Sequence, residues 1–170
     1  MTALLDEAGV ADAALELGRN LEHGEVVWLS GEIGAGKTTF VRHLVRGLGV
    51  SVPATSPTYA LVHRYQGRRG PVFHLDCYRL RTPDEAADLD WEGLLGEGDA
   101  ILVEWPERGA RALPPADLTI ALAVAGEGRQ AELSAGSGAG TAWLQRVSKT
   151  AACEPLLNRG DRKSSQLTDI

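Results

Sequence analysis

Gly31-Glu32-Ile33-Gly34-Ala35-Gly36-Lys37-Thr38 keeps the spacing G-x-x-x-x-G-K-[ST], the pattern of a phosphate-binding loop. A loop wrapped around a polyphosphate points several main-chain N–H groups inward, and Gly31, Gly34 and Gly36 permit the tight turns and close approach this needs. Lys37 would set its ammonium on the β and γ phosphates. The Thr38 hydroxyl would ligate a magnesium ion at the start of the following helix, where the helix dipole favours anions. Thr39 is a second hydroxyl of less defined use. Two carboxylates complete the constellation: Asp76 ends the run Val72-Phe73-His74-Leu75-Asp76, and Glu104 ends Ala100-Ile101-Leu102-Val103-Glu104. A strand ending in an acid can hold magnesium directly or through water, or orient an attacking water. From the residues alone each acid is equally a solvated strand end. Asp76 reaches the loop only if its strand runs parallel to the one preceding Gly31.

The elements that must position these groups are legible around them. Glu25 to Ser30 is a short apolar run of strand character, and Val41, Leu44, Val45 and Leu48 recur at helical spacing until Gly47 and Gly49 end the pattern. Strand, glycine loop and helix therefore follow in the required order. Upstream, Val10, Ala14, Leu17 and Leu21 share a helical face, which predicts an amphipathic helix over about 11–22 with Gly24 as its stop. Downstream, Ser51 to Tyr59 carries Pro53 and Pro57 and cannot continue a helix. Its hydroxyls Thr55, Ser56 and Thr58 suit a switch-like loop that orders on a γ phosphate and magnesium, or equally a proline-stiffened connection.

Residues 60–66 and 72–76 are two strand-like runs joined by Gly67-Arg68-Arg69-Gly70-Pro71, which reads as a hairpin. Thr82-Pro83-Asp84-Glu85 reads as a capping box opening a short helix through about Leu89, with Trp91, Leu94 and Leu95 packing a second helical turn against the sheet. Asp84, Glu85, Asp88, Asp90 and Glu92 make an acidic stretch, a solvated face or a docking surface for a basic partner. His63 and His74 have no companions at metal spacing and read as core or rim residues. Trp105-Pro106 stops the strand after Glu104 and sets an aromatic near the loop. Arg108 and Arg111 follow in a loop, where a small-molecule kinase would carry its phosphoryl-binding lid. Leu118, Ile120, Leu122 and Val124 alternate, Gly126-Glu127-Gly128 turns, and 129–134 returns with Ala131 and Leu133 inward, which predicts an antiparallel hairpin added to the sheet. A last helix is expected over 141–147, and 149–170 read as a flexible C-terminal tail after a single domain over 1–148.

Composition bounds the function classes. At 170 residues the chain can bury a real core. Its net charge of −6 argues against a broad electrostatic grip on nucleic acid, so any contact with RNA is expected through a partner. Cys77 and Cys153 have neither disulfide-framework nor metal-ligand spacing. The N-terminus lacks a signal-peptide pattern and no apolar stretch approaches a membrane span, so a cytoplasmic location is expected.

Four segments taken together, Ser30 to Phe40, Ser56-Pro57-Thr58-Tyr59, His74 to Leu80 and Val103-Glu104-Trp105-Pro106-Glu107, resemble in order the motif series of the bacterial TsaE (YjeE) family. That resemblance, from about residue 10 to 134, implies a P-loop NTPase-like, three-layer α/β fold with a mixed sheet, a parallel core and antiparallel hairpin strands. It implies a slow ATPase that binds ATP with Mg2+ and supports proteins of the TsaD and TsaB type in forming threonylcarbamoyladenosine at position 37 of tRNAs reading codons that begin with A. By the same resemblance Lys37, Asp76 and Glu104 are catalytic. Residues 31–39 (Gly31, Glu32, Ile33, Gly34, Ala35, Gly36, Lys37, Thr38 and Thr39) and Trp105 hold the nucleotide. Thr38 and Glu104 face the metal, and Ser56 and Thr58 belong to the switch-like loop. Ile33 and Cys77 stand where other apolar residues are usual in the family. The small-molecule kinase is the rival reading.

Overall fold

The computed structural model describes residues 2–51 and 61–150. Ser56, Thr58 and residues 151–170 of the expected tail lie outside the described residues.

A single seven-stranded mixed sheet carries the chain, with spatial order β1-β7-β6-β2-β5-β4-β3. Its strands are β1 (Thr2–Leu5), β2 (Glu25–Ser30), β3 (Val62–Gln66), β4 (Pro71–Asp76), β5 (Ala100–Glu104), β6 (Leu118–Ala125) and β7 (Gly128–Ala135). The core β4, β5, β2 and β6 is parallel. The two hairpins, β3–β4 and β6–β7, are antiparallel, as is the edge pairing of β1 with β7. Parallel strands buried on both faces need continuous apolar runs, and all five residues of β5 are buried. Because β4 is parallel to β5 and β5 to β2, Asp76 meets the condition under which it lies at the same end of the sheet as the glycine loop.

One face of the sheet is covered by α1 (Glu7–Arg19), α2 (Lys37–Gly47) and α6 (Gly138–Val147), which close around Leu17, Phe40, Leu44 and Trp143. The helices α1 and α2 touch almost backbone to backbone, because a Cβ at Gly18 would overlap the Leu44 carbonyl and one at Gly47 the Leu15 carbonyl. The opposite face carries the short helices α3 (Asp84–Ala87), α4 (Trp91–Glu97) and α5 (Pro106–Gly109) over Val26, Phe73, Leu75, Ile101 and Val103. Among the described residues no helix is long and apolar enough to cross a membrane.

Several local expectations shift. α1 begins four residues earlier than the periodicity places it, because Asp6 caps it by accepting from Gly9 N at 2.7 Å. α6 likewise begins at Gly138, capped by Ser137. Thr82 makes no side-chain cap. Pro83 occupies the cap position of α3, and Glu85 reaches past it to accept from Arg81 N at 3.2 Å. Trp91 and Leu94 pack against the sheet, whereas Leu95 is exposed. Residues 106–112 form α5 and a following 3-10 turn rather than a loop. The strand β1 (Thr2–Leu5) carries no strand signal of its own in the sequence.

Candidate functional site

The glycine loop emerges from β2 and closes on α2. Gly31 has φ 137° and Gly36, the N-cap of α2, has φ 100°, conformations that favour glycine. At Gly31 space also requires it, since a Cβ would overlap the Leu122 carbonyl of β6. Among the described residues the start of α2 has no side-chain cap, and its first turn holds no acid. Its orphan N–H groups and positive dipole end are thus left for an anion.

Lys37 is buried, and its Nζ donates to the carbonyls of Gly31 at 2.7 Å and Glu32 at 2.8 Å. The same ammonium lies 3.7 Å from the ring centroid of Trp105. Burial lowers the Lys37 pKa, and the charges of Glu104, Glu107 and Asp76 work against that shift. Trp105 itself has φ 57°, a backbone conformation that costs a bulky residue free energy. It is held there by its N–H to Leu29 O at 3.1 Å and by Tyr78, whose ring centroid is 4.9 Å away. Arg108 lies over the other partner in this stack, 4.7 Å from the Tyr78 centroid.

Thr38 Oγ1 donates to Glu104 Oε2 at 3.0 Å, which ties the first turn of α2 to the end of β5. Glu104 is 1% exposed. Its other oxygen, Oε1, is 2.9 Å from His74 Nε2. Asp76 sits beside Glu104 in the parallel register, and its Oδ1 accepts from Tyr78 N at 3.0 Å, capping the turn that carries Tyr78. The structure thus brings Lys37, Thr38, Asp76, Glu104 and Trp105 together, while Ile33 at the loop tip is 72% exposed. Asp84, Glu85, Asp88, Asp90 and Glu92 are all exposed and stand on the other face of the sheet, with Asp90 engaged in capping α4. A hydroxyl flanked by carboxylate oxygens is a hard-cation donor set. Among the described residues no cluster of three or more His, Cys, Asp and Glu could hold a metal.

Two residues of the site escaped the sequence. His74 is fully buried, as the core alternative has it, but it also contacts the acid Glu104, which the sequence did not announce. Arg129 of β7 donates through Nε to Ala35 O at 3.1 Å and through Nη1 to Gly128 O at 2.9 Å. It lines a cleft of about 200 Å³ with Glu7, Val10, Ala35, Gly36, Thr39, Glu127 and Gly128, which continues the glycine loop toward β7. The strand pattern around Arg129 was legible, but its partner lies 94 residues away.

The family model for the threonylcarbamoyl adenosine biosynthesis protein TsaE matches residues 4–131. The chain belongs to the TsaE family. The tRNA threonylcarbamoyladenosine biosynthesis protein TsaE of Nostoc is 38% identical over 136 residues, 77% of this chain and 83% of that protein. Its namesake in Haemophilus influenzae is 34% identical, covering 72% and 78%. That of Streptomyces coelicolor is 48% identical over a shorter stretch, 54% of this chain and 66% of that protein. The crystal structure of Bacillus subtilis YdiB superposes with a TM-score of 0.70 at 25% identity, covering 87% of this chain and 93% of that one. The TsaE match covers the glycine loop, Asp76, Glu104 and Arg129, and ends before α6. Family membership places the chain in tRNA threonylcarbamoyladenosine biosynthesis.

Proposed function

We propose that the chain is a Mg2+-dependent ATPase whose nucleotide cycle supports a TsaD- and TsaB-type complex forming threonylcarbamoyladenosine at position 37 of tRNAs. The observation that carries this reading is the 3.0 Å bond from Thr38 to Glu104, which joins the hydroxyl of the glycine loop to a buried acid at the end of a neighbouring parallel strand. In it, the N–H groups of residues 31–39 bind the polyphosphate and Lys37 leaves its two carbonyl partners for the phosphate oxygens. Thr38 and Glu104 hold the ion, with Asp76 as the adjacent acid. Bound magnesium would neutralise charge building on the phosphates. Glu104 or Asp76 orients the attacking water, and Trp105 excludes bulk solvent from Lys37. The cleft beside Arg129 suits the nucleoside. The domain comprises residues 1–148, and tRNA is reached through the partners.

Phosphate release from ATP by the full chain, with and without the partner proteins, tests the reading. Hydrolysis that the partners stimulate, lost in Lys37→Ala together with nucleotide affinity and lost in Glu104→Ala with binding retained, is expected. Transfer of phosphate to an added metabolite would instead establish the kinase. Arg108, one of the two arginines that reading uses as a lid, is stacked on Tyr78.

A further inference from the structure

The strand β4 delivers two polar side chains to the face covered by α2. Asp76 was expected, and His74, two residues earlier, was not. His74 pairs with Leu102 of β5 in register and lies opposite His63 of β3. Tyr65 stacks on its ring with centroids 6.3 Å apart and planes at 27°. A fully buried imidazole costs free energy unless it is hydrogen-bonded, and Leu or Phe would fill such a site without that cost. The bond it makes is to Glu104 Oε1 at 2.9 Å.

Both Glu104 oxygens are therefore engaged, Oε2 by the Thr38 hydroxyl and Oε1 by His74. A carboxylate only accepts, so Nε2 must donate. The other ring nitrogen, Nδ1, is buried and has no hydrogen-bond partner among the described residues. The terminal torsion of a glutamate is broad, and one hydrogen bond leaves the carboxylate free to turn about it. Two bonds, one to each oxygen, fix its plane. We propose that His74 is the positioning residue of Glu104, holding the carboxylate in the orientation in which it serves the ion and the water. This inference rests on the ATPase reading for its kinetic consequence, but not for the hydrogen bond itself.

The test uses the full chain with His74→Leu, His74→Gln and His74→Asn. Glutamine carries an amide donor about as far from the backbone as Nε2, whereas the asparagine amide ends near Nδ1. His74→Leu is expected to lower kcat about 10- to 100-fold, the loss of a hydrogen bond to a charged group, with KM and nucleotide affinity within about twofold. His74→Asn should match it, and His74→Gln should recover most of the rate. Equal impairment of the Gln and Leu variants, or wild-type kcat in His74→Leu, would overturn the proposal. A readout independent of turnover is the ring-nitrogen spectrum of the 15N-histidine-labelled protein. An Nε2–H tautomer whose resonance moves in Glu104→Ala is expected. An Nδ1–H tautomer, or a resonance indifferent to Glu104, refutes the positioning role. Wild-type protein that shows this resonance but hydrolyses no ATP, alone or with partners, would sink the ATPase reading and leave the pairing standing.

Discussion

Replacing Arg129 with alanine should weaken nucleotide binding without unfolding the protein. Its guanidinium joins the start of β7 to the glycine loop through Ala35 O at 3.1 Å and Gly128 O at 2.9 Å, on the wall of the cleft beside Gly36 and Thr39. Hydrogen bonds from a charged donor are worth about 1.5–3 kcal/mol, and the half-buried position of Arg129 puts this clamp at the low end. A loss of about 1–1.5 kcal/mol corresponds to roughly 5- to 10-fold in Kd. Titration calorimetry with a nonhydrolysable ATP analogue and Mg2+ would measure it. Arg129→Gln removes the charge and retains an amide donor, so it separates the clamp from simple attraction of the polyphosphate. If the clamp dominates, Gln should lie between wild type and Ala, and the difference should persist as salt rises, since screening weakens exposed charge interactions far more than buried ones. Affinity within twofold of wild type in Arg129→Ala would refute the reasoning, as would a defect that vanishes at high salt.

Three further perturbations address other parts of the site. Gly31→Ala combines a backbone angle few side chains adopt with overlap of the Leu122 carbonyl, so it should cost about 2–3 kcal/mol or more. That is a fall in Tm of roughly 5–10 °C by differential scanning fluorimetry, and nucleotide affinity should fall with it. Asp76→Asn keeps an acceptor for Tyr78 N, whereas Asp76→Ala removes both charge and cap; about a tenfold or greater loss of turnover in both would assign the charge, and a loss confined to alanine would assign the cap. Burial, with Asp76 and Glu107 adding, pushes the Cys77 thiol up to about 12 from an ordinary value near 9. The folded state therefore keeps the proton that the unfolded chain gives up, so stability falls as pH rises through the window from about 9 to about 12. Cys77 should also resist iodoacetamide at pH 8 in the native protein and react once it is unfolded, as peptide mass mapping would show.

The strand, glycine loop and helix around Lys37 were legible because their signals are local: an apolar run, fixed glycine spacing and a helical period within about 24 residues. The two hairpins were legible for the same reason. What escaped depends on partners distant in the chain. β1 is four residues long, with no alternation of its own, and exists by pairing Thr2–Leu5 with Arg129–Glu132 of β7. His74 has no metal companions because its partner is an acid 30 residues on. Only pairing β4 beside β5 brings the two together. Arg108 and Arg111 in a loop suggested a lid, but Pro106 starts a helical turn that lays the Arg108 guanidinium over Tyr78, and Arg111 falls in the 3-10 turn that follows.

The direction of β4 converts a list of motifs into one site. In the observed register Asp76 pairs with Glu104, and Glu104 pairs with Leu29 of β2, one residue from the end of the strand that feeds the glycine loop. Neighbouring strands are about 4.8 Å apart, so three strand ends stand side by side under the first turn of α2. Had β4 run the other way, Asp76 would lie at the far end of a six-residue strand, about 17 Å removed at 3.3 Å per residue. His74 would then be displaced from Glu104 as well. The antiparallel hairpin β3–β4 is what fixes this direction: β3 returns the chain along the sheet edge, so β4 can enter parallel to β5 and end at the loop. The β3–β4 hairpin thus sets the chemistry as much as the glycine pattern does, because it decides which acids the lysine and threonine meet.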